Sequence, residues 1–452
     1  MYLRNPHGPM ESPDKERPLT EETRKIRVSV VPKSPKTVEE TGLSLGFLVE
    51  LACKTLYFGG VMSLSSLSEH LALPVSVSND VVDFLKKERL AEVKKGGDIR
   101  AAYTHALTDL GRERAREYLQ LSGYFGAAPV TLAQYSEVAK KQTVRKMSVN
   151  RESMDRAFEG VILTPGLLER LGPAVNSGRS IFLYGPSGNG KTFIAERLAK
   201  VLSGNVFIPH ALCVDSQVIR IFDPVNHSRV DLGAPMDPAR AVLTERAEYD
   251  RRWVLCDRPV IVSGGELTLA MLDLSFDAIA KFYEAPLQLK ANGGVFLIDD
   301  LGRQLVRPFD LLNRWIVPLE KARDYLALQN GKKFEIPFDQ IILFSTNIAP
   351  RELADEAFLR RIGYKIKIDY LGEEEYIGIC HQVCERVGLP FRAEVIRFLL
   401  DEEHAKRGIR LSACHPNDVL RRVAEICRYE GVPPRMDNEL VERACRDYFT
   451  EL

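Results

Sequence analysis

Ile181-Phe-Leu-Tyr-Gly-Pro-Ser-Gly-Asn-Gly-Lys-Thr192 is the stretch on which the reading of this 452-residue chain turns. Four apolar residues make a strand-like run. Gly185, Pro186, Ser187, Gly188, Asn189, Gly190, Lys191 and Thr192 then fill the pattern G-x-x-x-x-G-K-[ST] completely, and Ile194, Leu198, Val201 and Leu202 continue at helical spacing. Glycines at these positions let backbone N–H groups close around a phosphate, and the helix N-terminus adds its dipole. Lys191 supplies a point charge for the outer phosphates, and Thr192 offers a hydroxyl to Mg²⁺.

Such a loop needs an acidic strand end nearby. Val295-Phe-Leu-Ile-Asp-Asp300 provides one: Asp299 is expected in the Mg²⁺ shell, and Asp300 is expected to orient or deprotonate an attacking water. Short apolar runs at Ile181 to Tyr184, Val206 to Ile208, Val295 to Ile298 and Ile341 to Phe344 alternate with helical patterns, as a parallel sheet covered on both faces requires. The fold class is therefore α/β, with a purely helical pattern after Tyr370.

With these motifs in place, residues 150 to 440 resemble the AAA+ superfamily of ATPases. The resemblance implies ATP and Mg²⁺ as ligands and hydrolysis to ADP and phosphate. It also implies a sensor-1 role for Asn347, at the end of Ile341-Ile-Leu-Phe-Ser-Thr-Asn347, and an arginine-finger role for Arg360 and Arg361 in Ala357-Phe-Leu-Arg-Arg361. Guanidinium groups of that kind reach nucleotide on the next subunit, so a homo-oligomeric ring, a hexamer, is implied. Residues 373–452 correspond to the family's helical lid. The chain departs from the family twice. The position aligned with the usual lid arginine is Asn417, so either Arg421 or Arg422 substitutes from farther along the helix or the lid senses nucleotide weakly. Asp300 stands where Glu is usual, and its shorter reach implies turnover slowed about 10²-fold. Asp-Asp also occurs in the similar replication-initiator and insertion-sequence-helper ATPases.

Upstream, residues 1–40 read as a disordered tail rich in Pro, Lys and Glu. Residues 41–125 run helix, helix, helix, hairpin, helix, and Tyr103-Thr-His-Ala-Leu-Thr-Asp-Leu-Gly-Arg-Glu113 resembles the wing strand and following helix of bacterial winged-helix regulators. A linker is expected at 126–150, an ATPase domain at 151–372 and the lid at 373–452. With 62 basic and 62 acidic side chains, the chain has no net charge to draw nucleic acid or anionic membrane non-specifically. The absence of a long apolar span or a signal-like N-terminus predicts a cytoplasmic protein that does not bind membranes. Eight cysteines scattered through a large chain read as reduced thiols; Cys380 and Cys384, one helical turn apart, read as core packing.

Between Ile208 and Val295 the chain is longer than one strand, one helix and their loops require, so an insertion is expected. Trp253 to Cys256 and Pro259 to Val262 read as a hairpin within it. Phe282 and Tyr283 read either as core or as pore-facing aromatics. Stretches from Lys290, Asn313 and Gly331 resemble the MoxR-type and related bacterial chaperone-like AAA+ ATPases, and some bacterial proteins with a similar winged-helix-plus-ATPase layout are labelled chaperone-like and linked to Flp pilus assembly. This implies an oligomeric protein remodeller whose N-terminal domain recruits a client or adaptor. The alternatives are a DNA-associated ATPase that holds DNA through residues 41–125, and a nucleotide-regulated scaffold.

Overall fold

The computed structural model describes residues 28–96, 102–202, 204–230, 249–353 and 355–449. Its organising element is a five-stranded parallel sheet in the order Val260–Ser263, Val295–Ile298, Ile341–Thr346, Ile181–Tyr184 and Tyr364–Lys367. The central strands are apolar without interruption because each face meets its own core. Ile181, Leu183, Val295, Leu297, Ile341 and Leu343 point to one cluster, shared with Ile194 and Leu198 of the helix Lys191–Val201. The alternate residues Phe182, Phe296, Ile298, Ile342 and Phe344 point to the other, around Trp315 and Phe358.

Three expectations are corrected here. The run Val206 to Ile208 is a strand (Asn205–Pro209), but it pairs antiparallel with Trp253–Asp257 outside the parallel sheet. Trp253 to Cys256 and Pro259 to Val262 therefore form no hairpin. The chain passes through Pro259, whose carbonyl accepts from Val295 N–H, and Val260–Ser263 becomes the sheet edge, with Ile261 buried and Val262 48% exposed. Residues 126–150 are not a loose linker. Val130–Thr131 joins a second five-stranded sheet beside Ala211–Val214, and the helix Leu132–Lys141 buries Tyr135, Val138 and Ala139.

Of the expected disordered tail, residues 1–27 lie outside the described residues. Residues 28–40 pack: Val28, Val30 and Val31 lean on the core of the second sheet, and Pro32 accepts from Asp250 N–H. The N-terminal elements run Leu45–Gly59, Leu64–Leu71, Val75–Lys87, the strands Ala91–Lys95 and Thr104–Leu107, and Asp109–Leu121; residues 97–101 at the hairpin tip lie outside the described residues. This is the helix-and-hairpin order expected from the sequence. Phe282 packs against this N-terminal core, edge-on to Tyr124, while Tyr283 is buried in the insert and accepts from Gln329 N–H, so both take the core-packing role. Residues beyond 372 form a separate helical core in which Cys380 and Cys384 are buried; burial pushes the Cys384 thiol up to about 11 and Cys380 higher. No described helix is long and apolar enough to cross a membrane.

N-terminal module, linking segment and insert are joined at one buried ion pair. Arg252 contacts Asp250 at 2.8 Å, both side chains being at most 3% exposed. The same guanidinium donates to Thr41 O at 2.8 Å and Pro129 O at 3.3 Å. Removing one partner strands a buried charge, so Asp250→Ala is expected to destabilise the protein by about 3–5 kcal/mol in urea denaturation.

Candidate nucleotide site

In a parallel sheet all strands finish at one edge, which is where loops of different sequence origin can meet. The register sets Tyr184 beside Thr346, so Gly185 and Asn347 leave their strands at the same level. Gly185 has φ +139°, and a Cβ there would stand 2.0 Å from Ile368 O. Gly188, at φ +78°, would meet Cys414 Sγ at 2.5 Å. Glycine is required at both positions by close neighbours as well as by backbone angle.

Lys191 opens the following helix. Its ammonium donates to Gly185 O at 3.0 Å and Pro186 O at 2.8 Å. Burial lowers its pKa, while the charges of Asp300 and Asp299 oppose that shift. Thr192 Oγ1 lies 2.9 Å from both carboxylate oxygens of Asp299. A hydroxyl beside a carboxylate is an oxygen donor set suited to a hard divalent cation, so these residues fit Mg²⁺. Asp300 sits at φ +48°, a left-handed conformation that costs a non-glycine residue about 1–2 kcal/mol. Asn347 is half-buried at the strand end.

A residue with no motif signal holds this strained corner. Gln304, 8% exposed, donates through Nε2 to Gly264 O, Asp299 O and Asp300 O at 3.1–3.3 Å, and its Oε1 accepts from Gly302 N–H at 2.8 Å. Only tertiary placement gives it this role.

The loop opens into a cleft of about 790 Å³. Gly188, Asn189 and Gly190 form its floor, Gly160 to Thr164 one wall, and Ile379, Gln382, Val383, Arg386, Ala413, Cys414 and Asn417 of the helical part the other. That volume suits a mononucleotide, and the apolar side chains offer a face to a base. Arg421, expected at this site, is instead exposed on its helix and does not line the cleft; Arg422 donates to Asp447 O. Arg386 and the wall at 160–164 were not foreseen, because neither carries a local pattern.

Arg360 and Arg361 stand apart from all of this. They precede Tyr364, which pairs with Ile181 at the start of the loop strand, so they lie at the opposite end of the sheet from Gly185. Arg361 is paired with Glu320 at 2.9 Å; Arg360 is exposed.

Residues 372–447 match the model of a domain of unknown function (DUF8689). Over 54 residues the chain is 43% identical to the vesicle-fusing ATPase of Dictyostelium discoideum, covering 12% of this chain and 7% of that protein. Over 48 residues it is 46% identical to the vesicular-fusion protein sec18 of Schizosaccharomyces pombe, covering 11% of this chain and 6% of that one. The chain thus spans only a small fraction of either relative. Among solved structures, a point mutant of RuvB from Thermotoga maritima overlays with TM-score 0.36 at 13% identity, covering 66% of this chain and 69% of that one. NtrX from Brucella abortus in complex with ADP gives 0.37 at 13% identity, covering 75% and 67%. Overlays this loose decide nothing about fold or function.

Because Gln304 is buried and serves three part-buried carbonyls, Gln304→Leu is expected to destabilise the protein by about 1–3 kcal/mol, measured by chemical denaturation. The phosphate loop, the acidic strand, the parallel sheet and the helical part behind them make this an α/β P-loop ATPase fold with a helical C-terminal part.

Proposed function

We propose that the chain is an AAA+ ATPase that hydrolyses ATP at a site completed by a second copy of itself and uses the cycle to remodel a protein client. The observation that carries the reading is Thr192 Oγ1 at 2.9 Å from both Asp299 oxygens, beside the glycine loop of a nucleotide-sized cleft. Gly185, Pro186, Ser187, Gly188, Asn189 and Gly190 wrap the phosphates, and Lys191 leaves its carbonyl partners to meet them. Mg²⁺, held by Thr192 and Asp299, would neutralise charge on the phosphate oxygens when bound. Asp300 accepts a proton from, or aims, the attacking water, and Asn347 orients it. Of the two finger candidates, Arg360 is favoured, since it is exposed while Arg361 is committed to Glu320.

For the N-terminal module, taken as winged-helix-like, a protein partner is favoured over DNA. Cations on the helix and hairpin are partly neutralised within the module, Lys86 by Asp83 at 2.6 Å and Lys94 by Glu92 at 2.5 Å. The same module exposes Phe58 against Phe125 at 4.6 Å and leaves Leu121 73% exposed, an apolar surface of the kind protein partners cover. DNA binding would instead show affinity falling by about 0.9 log units per log unit of salt for each phosphate neutralised.

Three outcomes test the proposal. Lys191→Ala is expected to abolish ATP binding or turnover while leaving the circular-dichroism melt unchanged; wild-type turnover in that variant would reject the site. ATP turnover per subunit is expected to rise with protein concentration as ATP-dependent oligomers form, read by light scattering on the same samples. Arg360→Ala is expected to slow turnover about 10³-fold with ATP binding retained, and mixing it with Asp300→Asn subunits should restore activity. A rate independent of concentration, or no rescue on mixing, would favour the nucleotide-regulated scaffold.

A further inference from the structure

We infer that a groove at the other end of the parallel sheet from the phosphate loop is a second anion site, which takes a compact ligand carrying two or more phosphate groups. It is separate from the nucleotide cleft and does not depend on how that cleft is read.

The groove has a volume of about 630 Å³, within the range of small-molecule sites. Phe338 and Asp339 on its lining lead into the strand Ile341–Thr346, whose far end, Thr346, is level with Tyr184 and the phosphate loop. Four cations from two parts of the chain converge on it. Lys140 and Arg145 come from the linking segment, at the end of the helix Leu132–Lys141 and in the turn Val144–Lys146. Lys321 and Arg323 come from the ATPase part and flank Ala322, which ends the helix Ile316–Lys321 in a left-handed conformation before the strand Arg323–Ala327 begins.

The two acids of the lining are occupied elsewhere. Asp339 accepts from Thr143 Oγ1 at 2.6 Å and from Val144 N–H at 3.2 Å, and burial raises its pKa. Arg145 lies 3.9 Å from that carboxylate and donates to Phe338 O at 3.4 Å. Glu335 accepts from Arg323 Nη1 at 2.9 Å and from Tyr325 OH at 3.1 Å. Lys140 and Lys321, both exposed, have no hydrogen bond or ion pair among the described residues. Like charges gathered in one groove repel unless an anion joins them, and a chain with no net charge has no general excess of cations to place there.

The lining also narrows the class of anion. Phe338 is 2% exposed, and Ala139, Ala322 and Pro337 offer no aromatic face, so nothing here stacks on a base. Recognition falls to the cations, and guanidinium and ammonium groups together suit phosphate oxygens. One phosphate serves one pair of cations; a ligand with two or more serves both, and so ties the linking segment to the foot of the sheet.

The test is calorimetric titration of tripolyphosphate into the full-length protein carrying Lys191→Ala, which removes the phosphate loop as a competing site. Binding is expected. Adding Lys140→Ala together with Lys321→Ala is expected to weaken it about tenfold or more, with the circular-dichroism melt unmoved because neither side chain has a partner to lose. Lys140→Arg with Lys321→Arg in the same background is expected to retain binding, since these changes keep the charge. No binding to the Lys191→Ala protein, or binding indifferent to the alanine pair, would overturn this proposal and leave the nucleotide reading untouched. A glutamate-rich peptide or duplex DNA that binds more tightly than tripolyphosphate, and is lost with the same alanine pair, would overturn the ligand class by making the groove a dock for a macromolecule.

Discussion

The contact between Thr192 Oγ1 and Asp299 joins two segments that are not neighbours in the sheet. The strand Ile341–Thr346 lies between them and runs as far as Tyr184 and past Ile298, so the hydroxyl can meet the carboxylate only across a strand end with small side chains. Ser345 and Thr346, both buried, provide it. Ser345 O accepts from Leu301 N–H, and Thr346 Oγ1 donates to Leu301 O at 2.6 Å, which pins the segment just after the two aspartates. The strained backbone at Asp300 is then overdetermined from both sides, by this strand and by the Gln304 carboxamide. The position of the carboxylate is thus set by the backbone of three strand ends, and the cleft inherits that rigidity.

The other wall depends on a buried polar cluster in the helical part. His404, 1% exposed, meets Tyr376 OH at 2.8 Å and stacks on His415 at 5.3 Å. Burial holds its pKa down to about 4, so the ring is neutral near pH 7 and brings no unpaired charge into the core. It also contacts Ile409 O, within the turn that leads to Cys414. The residues touching Gly188 and Asn189 are therefore held from behind by aromatic packing and not by the loop alone. A π-helical turn at Leu399–Ala405 is what aims His404 inward at this point.

The chemistry-bearing half of the site was legible in the sequence because a phosphate loop and an acidic strand end are local patterns with local reasons. The two-faced burial of Ile181–Tyr184 and Val295–Ile298 was legible for the same cause: it leaves uninterrupted apolar runs. Pairing partners were not. Val206 to Ile208 and Val260 to Val262 look alike as apolar runs, and only the tertiary route of the chain assigns the first to an antiparallel pair and the second to the edge of the parallel sheet. Residues 28–40 read as part of a disordered tail, and 126–150 read as a linker. They order because the insert offers them a surface, and its Arg252 donates to the carbonyls of Thr41 and Pro129 at the edges of these segments. Gln304 and Arg386 had no signal at all, since a lone polar residue acquires a role only from what the fold sets opposite it.

The strand Tyr364–Lys367 connects two parts of the proposed mechanism that the sequence keeps separate. Its leading end follows Arg360 and Arg361, at the edge of the sheet away from the phosphate loop. Its trailing end runs into Ile368, whose N–H donates to Tyr184 O at 2.8 Å and whose carbonyl lies where any side chain at Gly185 would have to go. Asp369 then enters the cleft wall. A four-residue strand hydrogen-bonded along its length to Ile181–Tyr184 slides or tilts as a unit, because a local shift would break its ladder. In a ring of such subunits, the backbone that closes around one subunit's phosphate loop would be the same rigid piece that carries the arginine offered to a neighbour. Nucleotide-dependent movement at one site would then be felt at the next through a single strand, without any long relay of side chains.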